Sequence, residues 1–146
     1  MTDIKKMYEG IENEQWFTAA KHGDAVAQYE LGLRFSQGDL VEKDEQEAVK
    51  WFRKSAEQGF PDAEYTLGIC YEFGDGVEQD LKTAVDFYRK AAEQNMPEAL
   101  FSLGCCYESG IGVKQDKPQA MRLYYSAAKQ GSENARDALS RLFEEE

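Results

Sequence analysis

Leu67-Gly68-Ile69-Cys70-Tyr71, the loop Gly74-Asp75-Gly76-Val77-Glu78-Gln79, and then Ala84 and Tyr88 make up a pattern that this sequence carries three times. A shift of 36 residues superimposes Ala27, Ala63 and Ala99; Leu31-Gly32, Leu67-Gly68 and Leu103-Gly104; and Phe35, Tyr71 and Tyr107. The register runs on through Gly38, Gly74 and Gly110; Asp44, Asp80 and Asp116; and Phe52, Tyr88 and Tyr124. A fixed period of this length marks a stack of supersecondary units, none of which can bury its apolar face alone. Three full units run 24–59, 60–95 and 96–131. A half unit at 8–23 precedes them, with Trp16, Ala20 and Gly23 in register with Phe52, Ala56 and Gly59. Residues 132–146 follow as a C-terminal capping helix, with Ala135, Leu139 and Phe143 in register with Ala99, Leu103 and Tyr107.

Each unit reads as two helices. Ala63, Leu67 and Tyr71 recur at i, i+4 and i+8 on one helical face, and Pro61 and Pro97 suit a first helical position. The glycine loop ends that helix. Asp44, Asp80 and Asp116 begin the second helix, and Glu47 and Gln119 complete a capping-box pattern in two units. Ala84, Tyr88 and Ala92 mark its inward face, and Gly59, Asn95 or Gly131 ends it. Gly68 costs about 1 kcal/mol of helix propensity, which predicts the close approach of a neighbouring helix backbone. Leu40 stands where the other units have Gly76 and Gly112, so the first loop is expected to turn differently. No segment alternates with a strand period. The expectation is one all-α solenoid of about eight helices over residues 1–146.

Leu-Gly-x-x-Tyr followed by Ala-x-x-x-Tyr resembles the tetratricopeptide pattern, with two residues more per unit. The added length lies in the Gly-x-Gly-Val-x-x-Asp loop. That loop, with Tyr88-Arg89-Lys90-Ala91-Ala92-Glu93-Gln94 and with Trp51-Phe52-Arg53-Lys54-Ser55-Ala56-Glu57-Gln58-Gly59, resembles the Sel-one-like repeat family across nearly the whole chain. The resemblance implies a right-handed superhelical solenoid of tetratricopeptide-like helix-turn-helix repeats. It also implies a non-enzymatic scaffold that binds a protein or peptide partner in a concave groove lined by the first helix of each pair. The groove positions it implies are Tyr29, Tyr65 and Phe101; Leu33, Ile69 and Cys105; and Ser36, Gln37, Glu72, Phe73, Glu108 and Ser109. The residues themselves point to a similar set, because Tyr65 and Ile69 form a second apolar stripe beside Ala63, Leu67 and Tyr71. That stripe has two readings, packing against the next repeat or an aromatic groove rimmed by carboxylates.

Composition narrows the partner. The chain has 146 residues with 28 acidic and 17 basic side chains, a net charge of −11. Phosphate binding draws on clustered Lys and Arg, so nucleic acid and anionic membrane are not the expected partners. Unit 60–95 carries −5 and unit 96–131 carries +1, which favours steering of a partner with a basic patch. The start Met1-Thr2-Asp3-Ile4-Lys5-Lys6-Met7-Tyr8-Glu9 holds no signal-peptide core, and no apolar run reaches membrane-spanning length, so a cytoplasmic location is expected.

Catalytic and cofactor readings find little support. The single histidine, His22, stands at a helix end in register with Gln58, Gln94 and Gln130, with no nucleophile in its local sequence. Cys70 and Cys106 share one repeat position and read as small apolar filler, while Cys105, on the groove, is the thiol expected to be reactive. Gly74-Asp75-Gly76 leading to Asp80 resembles a calcium loop, but Ile111 replaces Asp75 in the next unit and the helix cap accounts for Asp80. No metal and no cofactor is expected. Two other functions remain in view: an immunity or inhibitor protein that neutralises a toxin or effector enzyme, and a β-lactamase-like hydrolase, a label given to cysteine-rich secreted members of the family.

Overall fold

A computed structural model describes residues 14–145, so residues 8–13 of the expected N-terminal half unit lie outside the described residues. All regular structure among the described residues is helical: α1 (14–21), α2 (Ala25–Gln37), α3 (Glu45–Glu57), α4 (Pro61–Phe73), α5 (Leu81–Glu93), α6 (Pro97–Ser109), α7 (Lys117–Lys129) and α8 (Glu133–Glu144). The pairs α2/α3, α4/α5 and α6/α7 pack internally, and the second helix of each pair packs on the helix that follows it. The result is an all-α solenoid.

The aspartates begin the second helices as their sequence position predicts. The side chains of Asp44, Asp80 and Asp116 accept hydrogen bonds from the backbone N–H of Glu47, Thr83 and Gln119. The reciprocal arm of a capping box is not formed. The N–H groups of Asp44, Asp80 and Asp116 instead donate to the carbonyls of Phe35, Tyr71 and Tyr107, at 2.8 to 2.9 Å. The cap thus closes the loop onto the preceding helix. Its donor is already satisfied, and Glu47 and Gln119 turn outward to Lys50 and Arg122.

Two expectations about glycine are corrected. Gly68 faces a ring and not a helix backbone: a Cβ there would lie 2.5 Å from the Tyr88 ring, and one at Gly104 would lie 2.6 Å from that of Tyr124. The missing side chain is a notch for the aromatic of the partner helix, as also at Gly32 under Phe52. Leu40 adopts φ 64°, close to Gly76 at 71° and Gly112 at 68°, so all three loops share one turn. Glycine is required at 76 and 112 because a Cβ there would strike the backbone carbonyls of Glu45 and Leu81. Leu40 pays the left-handed conformational cost of about 1–2 kcal/mol.

The core is a row of clusters along the stack. Trp51 and Leu31 pack with α1; Phe52 and Leu67 join the first and second pairs; Tyr88 and Leu103 join the second and third; Tyr124 and Leu142 join the third to α8. Phe52, Tyr88 and Tyr124 are each no more than 2% exposed, and burial of one such ring contributes on the order of 2–3 kcal/mol. The fully buried alanine near the end of the second helix is Ala91, with Ala127 in register; Ala92 is only half-buried. Polar stitches join the helices within a pair and, at Gly59, between pairs as well. Ser55 Oγ donates to the Ala25 carbonyl at 2.7 Å, and Gln94 Nε2 donates to the Gly59 carbonyl at 2.8 Å and to Glu64. Burial raises the Glu64 carboxyl above its ordinary pKa.

Candidate binding groove

The candidate positions fall into rows because successive first helices repeat the same register. Tyr29, Tyr65 and Phe101 form one row on α2, α4 and α6; Leu33, Ile69 and Cys105 form the next, one turn on. All six are half-buried. Phe73, at the end of α4, is 66% exposed, and Gln37 and Ser109 in register with it are exposed too.

Much of the aromatic surface packs within its own repeat. Ring centroids of Tyr29 and Phe52 lie 5.7 Å apart, those of Tyr65 and Tyr88 5.7 Å, and those of Phe101 and Tyr124 5.5 Å, all tilted. The glycine three residues after each first-helix aromatic admits the second-helix ring beside it, which explains the contact. Tyr29 also reaches the next repeat, edge-on to Phe60 at 5.4 Å, and its hydroxyl lies 3.5 Å from Thr66 Oγ1. The packing reading of the second stripe therefore holds at Tyr29.

The rim carboxylates hold the core as well as facing outward. Tyr88 donates its hydroxyl to Glu72 Oε1 at 3.3 Å, and Tyr124 donates to Glu108 Oε1 at 2.8 Å. Burial drives both phenols well above the ordinary tyrosine range. Arg141 of α8 reaches Glu108 at 2.8 Å, and this hydrogen bond holds the Glu108 carboxyl below its usual value. In the first repeat the partners change together. Phe52 has no hydroxyl, and Ser36 replaces the glutamate and bonds back to the Leu33 carbonyl at 2.9 Å. Tyr88, Tyr124 and Arg141 were not among the sequence candidates. The available signal was this pairing: Glu sixteen residues before Tyr in two units, Ser before Phe in the other.

The surroundings of Cys105 argue against the expected reactivity. Burial raises its pKa, and the Tyr124 hydroxyl lies 3.4 Å from its Sγ. Cys70 is pushed up to about 11 and Cys106 to about 12, again by burial. A thiol is activated by nearby cations or a helix N-terminus in a polar setting; these thiols lie toward the C-terminal ends of α4 and α6, and at Cys105 burial outweighs the opposing charge of Arg141. All three are free. His22 is exposed in the turn after α1. No helix among the described residues is long and apolar enough to cross a membrane.

The sequence pattern of the Sel1 repeat matches residues 25–60, 61–96 and 97–132, one residue later than the units read from the sequence. A crystal structure of a Sel1 repeat protein from Oxalobacter formigenes superposes with a TM-score of 0.82 at 39% identity, over 88% of this chain and 96% of that one. The structure of c5321, described as a protective antigen of uropathogenic Escherichia coli with an SLR fold, gives 0.85 at 44% identity over 86% of this chain and 27% of that one. A sel1-like repeat-containing protein, L18, of Acanthamoeba polyphaga mimivirus is 50% identical over 40 residues, 27% of this chain, which spans only 7% of that relative's length. With three consecutive matches covering most of its length, the chain belongs to the Sel1 repeat family.

Proposed function

We propose that this chain is an interaction module that holds a protein or peptide segment along the inner faces of α2, α4 and α6. Sel1 repeat proteins are generally protein-interaction scaffolds, and their fold is typically non-catalytic. The observation that carries the reading is the paired ladder of half-buried apolar side chains, Tyr29-Tyr65-Phe101 beside Leu33-Ile69-Cys105, flanked by exposed Phe73. Each side chain presents part of its surface outward at a spacing fixed by the repeat, which gives an extended partner a row of shallow contacts. Net charge of −11 favours a partner with a basic patch. An immunity or inhibitor protein is the narrower form of this proposal, with an enzyme as partner. The hydrolase reading draws little from the cysteines, which are three in number and free, not a pair in each repeat.

Site-specific photo-cross-linkers in place of Ile69 and Phe73, compared with Asp86 and Arg122 on the second helices, test the assignment in the native host. Adducts from 69 and 73 that disappear in competition with the unlabelled chain, but not with its Phe73→Ala, Ile69→Ala variant, are the expected result. Adducts confined to positions 86 and 122 would place the binding surface on the opposite face and overturn it.

A further inference from the structure

The first seam of the stack holds an open cleft of about 250 Å³, between α2, α3 and α4. Its floor is apolar, formed by Phe52, Ile69 and Cys70, and the hydroxyls of Ser36 and Thr66 line its wall. Glu45, at the start of α3, and Asp75, in the loop after α4, stand at its mouth, and both are exposed. The volume is smaller than a usual small-molecule site of roughly 300–1,000 Å³, and suits one long side chain.

The chain's own repeats show why the cleft lies at this seam. At the same level of the second seam, the Tyr88 hydroxyl and the Glu72 carboxylate meet at 3.3 Å and occupy the space. In the first seam Phe52 and Ser36 replace that pair, each a smaller group, and leave room. The mouth changes as well: Glu45 and Asp75 correspond to Leu81 and Ile111 in the second seam. These four differences, with Thr66, Ile69 and Cys70 where the second seam has Ser102, Cys105 and Cys106, give a slot with an apolar floor and two carboxylates at its entrance. Burial is the main cause of the raised pKa of Cys70 on the floor, and Asp75 and Glu45 add to it, consistent with a field that reaches into the slot.

We propose that this slot receives a lysine side chain of the protein partner, its methylene stem against Phe52 and Ile69 and its ammonium between Glu45 and Asp75. Lysine has an apolar stem and a cationic tip, the same division of chemistry as floor and mouth. Glu45 already lies 3.8 Å from Lys43 Nζ, but both side chains are exposed, and such a pair contributes little. The proposal rests on the reading of this chain as a protein-binding module and supplies an anchor for it.

The test titrates the ¹⁵N-labelled full chain with Nα-acetyl-lysine methylamide and, separately, with the uncharged acetyl-norleucine methylamide. Saturable shifts at the amides of residues 36, 66, 70 and 75 are expected with the lysine compound. Its affinity should fall about fivefold in the Glu45→Gln, Asp75→Asn double variant, the size of two exposed ion pairs. It should be lost in the Ser36→Glu, Phe52→Tyr variant, which copies the second seam. Equal shifts with norleucine, shifts scattered over the whole acidic surface, or affinity unchanged in the double variant would overturn the assignment. Cross-linking from position 73, outside the slot, is an independent readout: adducts there without lysine binding would leave the groove standing and remove only the slot.

Discussion

The Tyr124 hydroxyl donates to Oε1 of Glu108 at 2.8 Å, across the interface of α6 and α7, and Arg141 of α8 donates to the same oxygen at 2.8 Å. Three helices from two successive units thus meet at one carboxylate oxygen. A residue on the rim of the candidate groove is also a fastener of the stack, so groove chemistry and solenoid stability are coupled at this point.

Tyr124→Phe removes the phenol's donor and leaves Glu108 to Arg141. Phe52 occupies the equivalent site in the first repeat, so the ring itself fits. A hydrogen bond to a charged acceptor is worth about 1.5–3 kcal/mol. Urea denaturation should show a lower midpoint with an unchanged slope; an unchanged midpoint would mean that the bond adds no net stability.

Glu108 also predicts a pH dependence. Its folded pKa lies below the ordinary 4.5, first because of the Arg141 hydrogen bond. A carboxylate depressed in the fold contributes stability above its unfolded pKa and loses it as pH falls through the folded one. The stability gap between wild type and Glu108→Gln should therefore be full near neutral pH and close below 4.5. A gap that stays constant into acid would contradict the ion pair as its source.

Gly68→Ala tests the notch. The methyl would meet the Tyr88 ring, and overpacking costs about 1–3 kcal/mol, partly offset by a gain of about 1 kcal/mol in helix propensity. Net destabilisation is expected in the wild-type background. In a Tyr88→Ala background, where the ring is gone, the same substitution should be neutral or stabilising. Equal effects in both backgrounds would show that the ring does not select the glycine.

The cysteines should be quiet in the folded protein. With Cys70 raised to about 11 and Cys106 to about 12 by burial, alkylation by iodoacetamide near pH 8 should be slow at all three thiols and become rapid on adding denaturant. Fast native-state modification of Cys105, located by peptide mass, would restore the reactive thiol that its position on the groove had led us to expect.

The sequence reading was strongest where the determinants are local. Asp80 caps a helix because a short oxygen-bearing side chain can reach an N–H three residues on, and Gly74 ends one because it accepts a left-handed turn. Both features are visible within a few residues. Leu40 was misjudged because side-chain preference argues against positive φ, while the loop is fixed at both ends by helices that the other repeats share. The setting of Cys105 is not legible locally, because the fraction of its side chain that reaches solvent depends on the ring opposite it, Tyr124, nineteen residues away. The groove candidates lie in the rows that the register requires, yet the sequence did not show that Glu72 and Glu108 are tied to buried phenols.

The amino-acid sequence determined the period, the approximate helix boundaries and most of the inward-facing positions, because a repeated pattern of apolar residues and caps acts through the backbone of each short segment. The tertiary structure decided which inward-facing groups meet: the rings over Gly68 and Gly104, the Tyr124–Glu108–Arg141 junction, and the open slot that Phe52 and Ser36 leave at the first seam. These depend on side-chain volume and donor geometry between helices. A period reports which face a residue occupies, but not what fills the space in front of it.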